Sequence, residues 1–529
     1  MTQLRDPTPS VENDQKKKPL HGLSAVLDKY RVEGGIKGMS VSILYKGDLI
    51  FAEGFGHRND TDPFTKDTLM PIGSLTKAFT ATAIGEVVAE GKMDWDTTPV
   101  NTYLPEFQLK DPVMTSQLTL ADLLSHRTNL PSVAIRWIRA KESRLELIKL
   151  LRHVDQSSRL TSNLNYSNTM YAVAGEAAAQ VAEVSYEELV KIKVFQPLGL
   201  TNTGFSQSAL KHCDNYAMPY DAASFEDAQK GNFALGELDE YYLTDAPAGD
   251  IYSNVLDLAR WGRAIMKHGE VDGKQVLNKA SVAEVLTGMT FATGARRTPD
   301  FAPVRAYGLG WNIDAYKGYA SYSHLGQINA YNSSIAIYPD LDLVVSVLTN
   351  VYKSPLPRYL SHYIVDELLD LPRTKDWLFE ESIKSTKEEY KEAEKAARGE
   401  RTLPERIPNG PHTHALKEYA GVYSHLALGD VTILCKRNPQ NEGEGELHFR
   451  MQAFDSNKME HYHFEMFKVV LKVFGAAWAI GVKFETGLDG KVQGLVLELP
   501  DQEKPPLFKR KEEEEEEEEA VSASAVRED

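Results

Sequence analysis

Cysteine is nearly absent: Cys213 and Cys435 are the only two in 529 residues, and they lie far apart in the chain. So sparse a supply excludes a disulfide framework, and both read as ordinary thiols. Long hydrophobic runs are also lacking; none approaches the ~20 residues a membrane-spanning helix needs. The opening "MTQLRDPTPSVENDQKKKPL" has no apolar signal core, so a cytoplasmic location without a membrane partner is the expectation. Positive charge is in deficit, with 59 Lys and Arg against 76 Asp and Glu and a net charge of −17. That balance argues against a nucleic-acid partner. Part of the acidity sits in the glutamate run at 512–519, expected to be a solvated, disordered tail. The histidines of "HTH" (412–414) and "HYHF" (461–464) lack the companion carboxylate or cysteine spacing of a metal site, so neither a metal nor a cofactor is expected.

What is present is a globular composition, 42% hydrophobic and 26% charged. Residues 1–18 read as a disordered leader. "HGLSAVLDKYRVEG" has the pattern of an amphipathic helix, and "MSVSILYKGDLIFAEGFG" that of a hairpin turning at Lys46-Gly47-Asp48. Helical patterns follow: one after residue 74 that stops at Gly91, "LTLADLLSHRTNLP" with Asn129 suited to a left-handed turn, "RLELIKLLRH", and "MYAVAGEAAAQVAEV". "SNVLDLARWGRAIMKHG" adds another, with Ser253 as N-cap. Four strand patterns, from "YGLGWNI" to "LDLVVSVLTN", close this region. A strand pair, many helices and then strands predicts an α+β domain over 19–370, its sheet completed by both chain ends. Residues 371–413 are charged and then proline-rich, as a linker is. Short alternating runs over 414–510, with a turn at Asp489-Gly490, predict a small antiparallel β-domain. The acidic tail occupies 511–529.

The chemistry centres on "PIGSLTKAFTA". Ser74 and Lys77 are three residues apart at the start of an apolar helix, so they share a face. A serine hydroxyl needs a neighbouring base, and a lysine serves once burial or nearby positive charge lowers its pKa. Free N–H groups at a helix start also suit an oxyanion. The spacing alone is common: Ser208 and Lys211 in "QSALKH" share it. Context distinguishes Ser74, because the helix after it is apolar enough to be central. "NYSNTMYA" supplies Tyr166 and Asn168, and a tyrosine beside a cationic lysine is a candidate acid or base with a lowered pKa. Tyr252 and Asn254 in "IYSNVLD" are the decoy pair. "YSHLGQINAYN" supplies His324 and Gly326 on a strand expected at a sheet edge, with the Gln327 N–H as an oxyanion donor; "YSHLAL" at 423–428 is its decoy.

Ser74, Tyr166 and His324 fall 92 and 158 residues apart. This order, Ser-x-x-Lys, Tyr-x-Asn, then His-x-Gly, resembles the serine β-lactamase and penicillin-binding-protein family in its class C-like branch. "SVSILYKGDLIFAEGFG", "LTLADLLSHRTNLP" and "APAGDIYSNVLDLARW" resemble its framework segments, which leaves Tyr166 rather than Tyr252 as the catalytic candidate. The resemblance covers roughly residues 20–370, and the C-terminal unit is similar to the lipocalin-like barrel appended to some members. It implies that Ser74 attacks a carbonyl, that Lys77 and Tyr166 share the proton work, and that the Ser74 and Gln327 N–H groups hold the oxyanion. Asn168 then orients Lys77 and the substrate, and water or another nucleophile releases the acyl group. A β-lactamase carries Lys-Thr-Gly as its third motif. His-Leu-Gly here replaces a fixed cation with a mostly neutral group and removes a hydroxyl. The resemblance therefore implies a small, neutral ester or amide substrate, as in carboxylesterases and D-aminopeptidase-like hydrolases, ahead of a β-lactam. Acyl transfer in secondary metabolism is the alternative, and a catalytically silent scaffold is the non-enzyme one. The aromatic stretch at 212–246 lines the pocket or packs as a surface excursion. Oligomeric state is left open.

Overall fold

The computed structural model describes residues 20–155, 164–236, 243–292, 300–301, 304–400, 403–438, 441–452, 454–473, 476–499 and 504–512. The leader, most of the glutamate run and the rest of the tail lie outside the described residues. The chain forms two compact units. The first comprises residues 1–130, 142–149 and 158–391, and the second 131–141, 150–157 and 392–529. The short segments 131–141 and 150–157 thus belong with the C-terminal unit.

The first unit begins with helix α1 (Leu23–Glu33) and the hairpin β1 (Gly38–Tyr45) and β2 (Asp48–Gly56). Tyr45 pairs with Asp48, and the two turn residues Lys46 and Gly47 both have positive φ, 49° and 82°, as a type I′ turn requires. Helix α2 (Thr76–Ala89) follows, then α3 (Asn168–Ala182) and α4 (Val255–Met266). Strands β3 (Asn312–Tyr316), β4 (Tyr319–Ile328), β5 (Tyr331–Tyr338) and β6 (Leu343–Thr349) precede α5 (Leu356–Leu369) and α6 (Ile383–Arg398). The sheet has eight strands in the order Thr290–Phe291, Ala306–Tyr307, β3, β4, β5, β6, β1, β2. Every pairing is antiparallel, and the N-terminal hairpin joins the last strand, Val41 opposite Val347. The sheet is thus completed by both ends of the domain, as the sequence predicts.

Both faces of the sheet are covered, so β1 (GMSVSILY) is buried along nearly its whole length instead of alternating with solvent. One face packs on α1 and α5 through Met39, Val41, Ile43, Val345 and Val347. On the other, a Cβ at Gly262 of α4 would come within 2.5 Å of the Val344 side chain, so glycine lets the helix sit against β6. Trp261 on the same helix stacks on Phe79 of α2 at 4.1 Å and 15°. Helix α2 is buried on all sides from Thr76 to Gly85, which explains its near-uniform apolarity. Gly91, at φ 71°, lies just beyond its C-cap.

The cap of α4 differs from the sequence expectation. Asn254, not Ser253, is the N-cap, its Oδ1 accepting from the Leu256 and Asp257 N–H groups at 3.1 and 2.9 Å. Ser253 lies in the short strand Ile251–Ser253 and bonds Thr203 instead. In the aromatic excursion, Tyr220 is buried and Phe225 and Phe233 pack against Ala222, Ala228 and Tyr390; residues 237–242 lie outside the described residues.

The second unit holds a closed barrel of eight strands in sequence order, Gly421–His425 through Leu507–Arg510. The run "HYHFEMFKVV" is itself a hairpin, turning at Phe464 with φ 46°. Tyr423, Ile433, Phe449, Phe467, Phe484, Leu495 and Phe508 form a solid apolar core. Both cysteines are free thiols. Among the described residues, no helix is long and apolar enough to cross a membrane.

Losing an Asn cap costs about 1 kcal/mol. Asn254→Ala is therefore expected to lower the unfolding free energy of the first unit by that amount, read as a lower urea midpoint at unchanged m, and an unchanged midpoint would place the cap elsewhere.

Candidate active site

Ser74 lies in a 3-10 turn, Gly73–Leu75, that leads directly into α2. The turn is hung from the short strand Met70–Pro71, which pairs with Ile251–Ser253, and the Ile72 N–H bonds the Ile251 carbonyl at 2.9 Å. Gly73 has φ 53°, and a Cβ there would stand 2.9 Å from the Gln327 nitrogen. A Cβ at Gly326 would be 1.9 Å from the Ile72 carbonyl oxygen. The two glycines therefore let the nucleophile turn and β4 press together backbone to backbone.

Two hairpins orient β4. In a two-residue hairpin the flanking pair exchanges hydrogen bonds, and bonded and non-bonded pairs then alternate. The β3–β4 turn is closed by Tyr316 and Tyr319, and the β4–β5 turn by Ile328 and Tyr331. Both place the main-chain groups of odd-numbered β4 residues on the β3 side. Pairing with β3 stops at Ser323, so the Leu325 and Gln327 groups face an open edge occupied by the Ser74 turn. The strand is thus internal, not an edge strand, with half of one side left open. The Gln327 N–H and the first-turn N–H groups at Ser74 converge there, and helix-start N–H groups have no intrahelical acceptor.

Lys77 is fully buried. Its Nζ donates to Asn168 Oδ1 and to the Ala248 carbonyl, both at 2.8 Å, and lies 3.2 Å from Ser74 Oγ. Neither carbonyl oxygen can donate in return, so two N–H bonds of the amine are committed. The third position points at Ser74. In a neutral amine that position is the lone pair, and Ser74 donates its proton to it. Burial drives the Lys77 pKa well below the ordinary lysine range, and the charge of Asp245 opposes the shift. Asp245 is buried too, which raises its pKa against the pull of Lys77 and Arg144. The rings of Tyr166 and Tyr171 lie 4.7 and 5.4 Å from Nζ.

Asn168 is the first residue of α3, set in place by Ser167, whose Oγ caps the Met170 N–H at 3.4 Å. Tyr166 directly precedes the cap. The sequence reading allows a lowered phenol pKa beside a cationic lysine; the structure reverses the sign. Desolvation raises the Tyr166 pKa, with a Ser74 hydrogen bond opposing the rise. Although 45% of the residue's surface is open, its resting form is the phenol, and the charge of Asp245 adds to the rise.

His324 lies beneath the site and not on its surface, only 3% exposed. Its Nδ1 is 2.6 Å from the Leu325 carbonyl, which only accepts, so Nδ1 carries the proton and Nε2 accepts from Tyr307 Oη at 3.0 Å. Burial, and then the charge of Lys77, hold its pKa down to about 3. The third motif thus presents no cation.

The structure brings Ser74, Lys77, Tyr166 and Asn168 together, with Gly326 and Gln327 across the cleft and His324 below. The decoys lie elsewhere: Ser208 and Lys211 on a short helix, Gln207–Lys211, and Tyr252 on the strand beside Gly204. The sequence reading missed His126, Asp245 and Tyr307. His126 and Asp245 each stand within or beside a quoted framework segment, and a polar residue in an otherwise buried run was the available signal.

Comparisons follow the same division. The beta-lactamase family profile matches residues 23–369, and that of a domain of unknown function, DUF3471, matches residues 405–516. An unguisins hydrolase of Aspergillus campestris is 28% identical over 86% of this chain and 85% of its own. A second, from Aspergillus violaceofuscus, is 26% identical over 85% and 82%. Penicillin-binding protein 4 of Amycolatopsis lactamdurans is 25% identical over 61% of this chain and 83% of its own. Among solved structures, the octameric penicillin-binding protein homologue from Pyrococcus abyssi covers 93% of this chain and all of its own, with a TM-score of 0.57 and 22% identity. The D-amino acid amidase from Ochrobactrum anthropi covers 67% and 98%, with a TM-score of 0.52 and 23% identity. These two show a shared fold.

A histidine with a depressed folded pKa binds fewer protons folded than unfolded, so stability falls as pH drops below the unfolded value near ~6.5. For His324 the loss is about 2 kcal/mol at pH 5. His324→Gln is expected to flatten the fall in unfolding midpoint between pH 7 and 5; an equally steep fall in the variant would assign the acid sensitivity to other groups.

Proposed function

Because the chain belongs to the beta-lactamase family, we propose that it is a serine hydrolase that works through a Ser74 acyl-enzyme on a small, uncharged ester or amide. The observation that carries this reading is the coordination of Lys77, with two N–H bonds committed to carbonyl oxygens and its remaining position aimed at Ser74. In acylation the Ser74 proton passes to the Lys77 lone pair as Oγ bonds the carbonyl carbon. The Ser74 and Gln327 N–H groups receive the developing oxyanion. As the bond to the leaving group breaks, the leaving atom takes the Tyr166 proton, and the Lys77 ammonium restores it. Water then repeats the sequence in reverse.

Substrate charge follows from the third motif. A neutral, doubly bonded His324 beside Leu325 offers no ionic anchor for a substrate carboxylate, so uncharged acyl groups rank above β-lactams. Hydrolysis ranks above transfer to an alcohol because two relatives that span over four-fifths of both chains are named hydrolases. The lipocalin likeness of the C-terminal unit is read as architecture only, a closed eight-stranded barrel.

Wild type incubated with p-nitrophenyl butyrate is expected to show turnover and a mass increase of one butyryl group, both absent in Ser74→Ala. Identical background rates and no adduct in either protein would favour a silent scaffold. Turnover of a cephalosporin above that of the butyrate ester would reverse the substrate ranking. The pH profile of kcat/KM should rise through the depressed Lys77 pKa, because the base acts only when deprotonated. A rising limb in the ordinary lysine range, above pH ~10, would remove Lys77 from that role.

A further inference from the structure

His126 stands outside the three motifs, yet it grips the segment that carries Tyr166 at three consecutive residues. Its carbonyl accepts the Asn165 N–H at 2.8 Å. Its Nδ1 accepts the Ser167 N–H at 3.1 Å. Its ring lies against the Tyr166 ring, 4.3 Å between centroids. Tyr171 and Tyr307 close the other sides of the imidazole at 5.1 and 4.9 Å, and Tyr171 is fixed by donating to the Leu124 carbonyl at 2.7 Å.

Holding His126 there has two costs. Its φ is 60°, a left-handed conformation unfavourable for a residue with a Cβ. Because Nδ1 accepts, the ring proton resides on Nε2, which is buried and without a hydrogen-bond partner among the described residues. A buried polar group left unsatisfied bears its full desolvation cost. A side chain kept only to fill space would avoid the second cost altogether. Its hydrogen bonds to Asn165 and Ser167 flank its ring contact with Tyr166, so the placement of Tyr166 is what they secure. Tyr166 needs such support, since nearly half its surface faces solvent.

We infer that His126 is a positioning residue for Tyr166, holding the phenol where it delivers a proton to the leaving group. This rests on the Ser74 acyl-enzyme reading. With Tyr166 misplaced, the leaving oxygen must depart as an anion. Good leaving groups tolerate that and basic ones do not, whereas a merely structural lesion slows both alike.

The test is a series of substituted phenyl butyrates of increasing leaving-group basicity, assayed with wild type, Ser74→Ala, His126→Phe and His126→Asn. General acid catalysis contributes about 10²–10⁴-fold. In His126→Phe, which keeps a ring but loses the acceptor, the ratio of kcat/KM for the most basic leaving group to that for p-nitrophenyl should fall by about 10²-fold. His126→Asn keeps an acceptor and suits positive φ, and its ratio should lie between; if the Phe variant fails to fold, the same steepening is read there. Parallel losses across the series, or no loss, would overturn the inference. Wild type no faster than Ser74→Ala would instead overturn the acyl-enzyme reading beneath it.

Discussion

The site depends on one desolvated amine. Lys77 sits on a largely enclosed helix of the first unit, without exposed surface, and burial is what moves its pKa toward neutrality. Two carbonyl oxygens then decide how it is used. Asn168 Oδ1 and the Ala248 carbonyl accept both N–H bonds that a neutral amine has to give, leaving Ser74 opposite the lone pair. Burial without those acceptors would leave the amine free to rotate; acceptors without burial would leave it an ammonium. Helix α2 being buried on every side is therefore a functional requirement as well as a packing outcome.

The second constraint is closeness. The proposed oxyanion donors come from two elements about 250 residues apart in sequence, the turn at Ser74 and the open half of β4. They meet only because Gly73 and Gly326 lack side chains where backbone meets backbone. The hairpins on both sides of β4 fix which N–H groups face the turn, so a one-residue slip would turn the Gln327 N–H toward β5. Gly262 performs the related service on the sheet face, bringing α4 and its Trp261–Phe79 stack against β6 and α2. Precision at Ser74 is thus inherited from sheet register and three close approaches.

Much of this was legible in the sequence, and the reasons are local. The β1–β2 turn, the strand runs and the apolar helix after Ser74 are periodic patterns that act over a few residues. The order of Ser74, Lys77, Tyr166 and Asn168 carried the candidate site because its members sit beside recognisable helix starts. What escaped depends on burial, which no short string records. Ser253 and Asn254 are both good caps on paper; the pairing of Ser253 with the Met70 strand decides between them. The sign of the Tyr166 shift escaped because it is set by desolvation, which outweighs the Ser74 hydrogen bond. His126 escaped because nothing at a helix exit foretells contacts to residues some forty positions later.

Charge economy links these facts. Lys77, His126 and His324 share one buried neighbourhood, and each histidine feels the charge of Lys77. Among the described residues the carboxylate felt by Lys77 is Asp245, and its own burial favours the protonated form. Burial, and then the charge of Lys77, therefore keep both histidines neutral, each with its Nδ1 on a main-chain partner, one as donor and one as acceptor. In the proposed mechanism that arrangement leaves proton transfer to Lys77, Ser74 and Tyr166. It also explains how a lysine can be replaced by histidine in the third motif without disabling the base. A permanent cation at position 324 would press the Lys77 pKa lower still while drawing in anionic substrates; a neutral imidazole leaves the base near its working range and the cleft electrically indifferent to an uncharged acyl group.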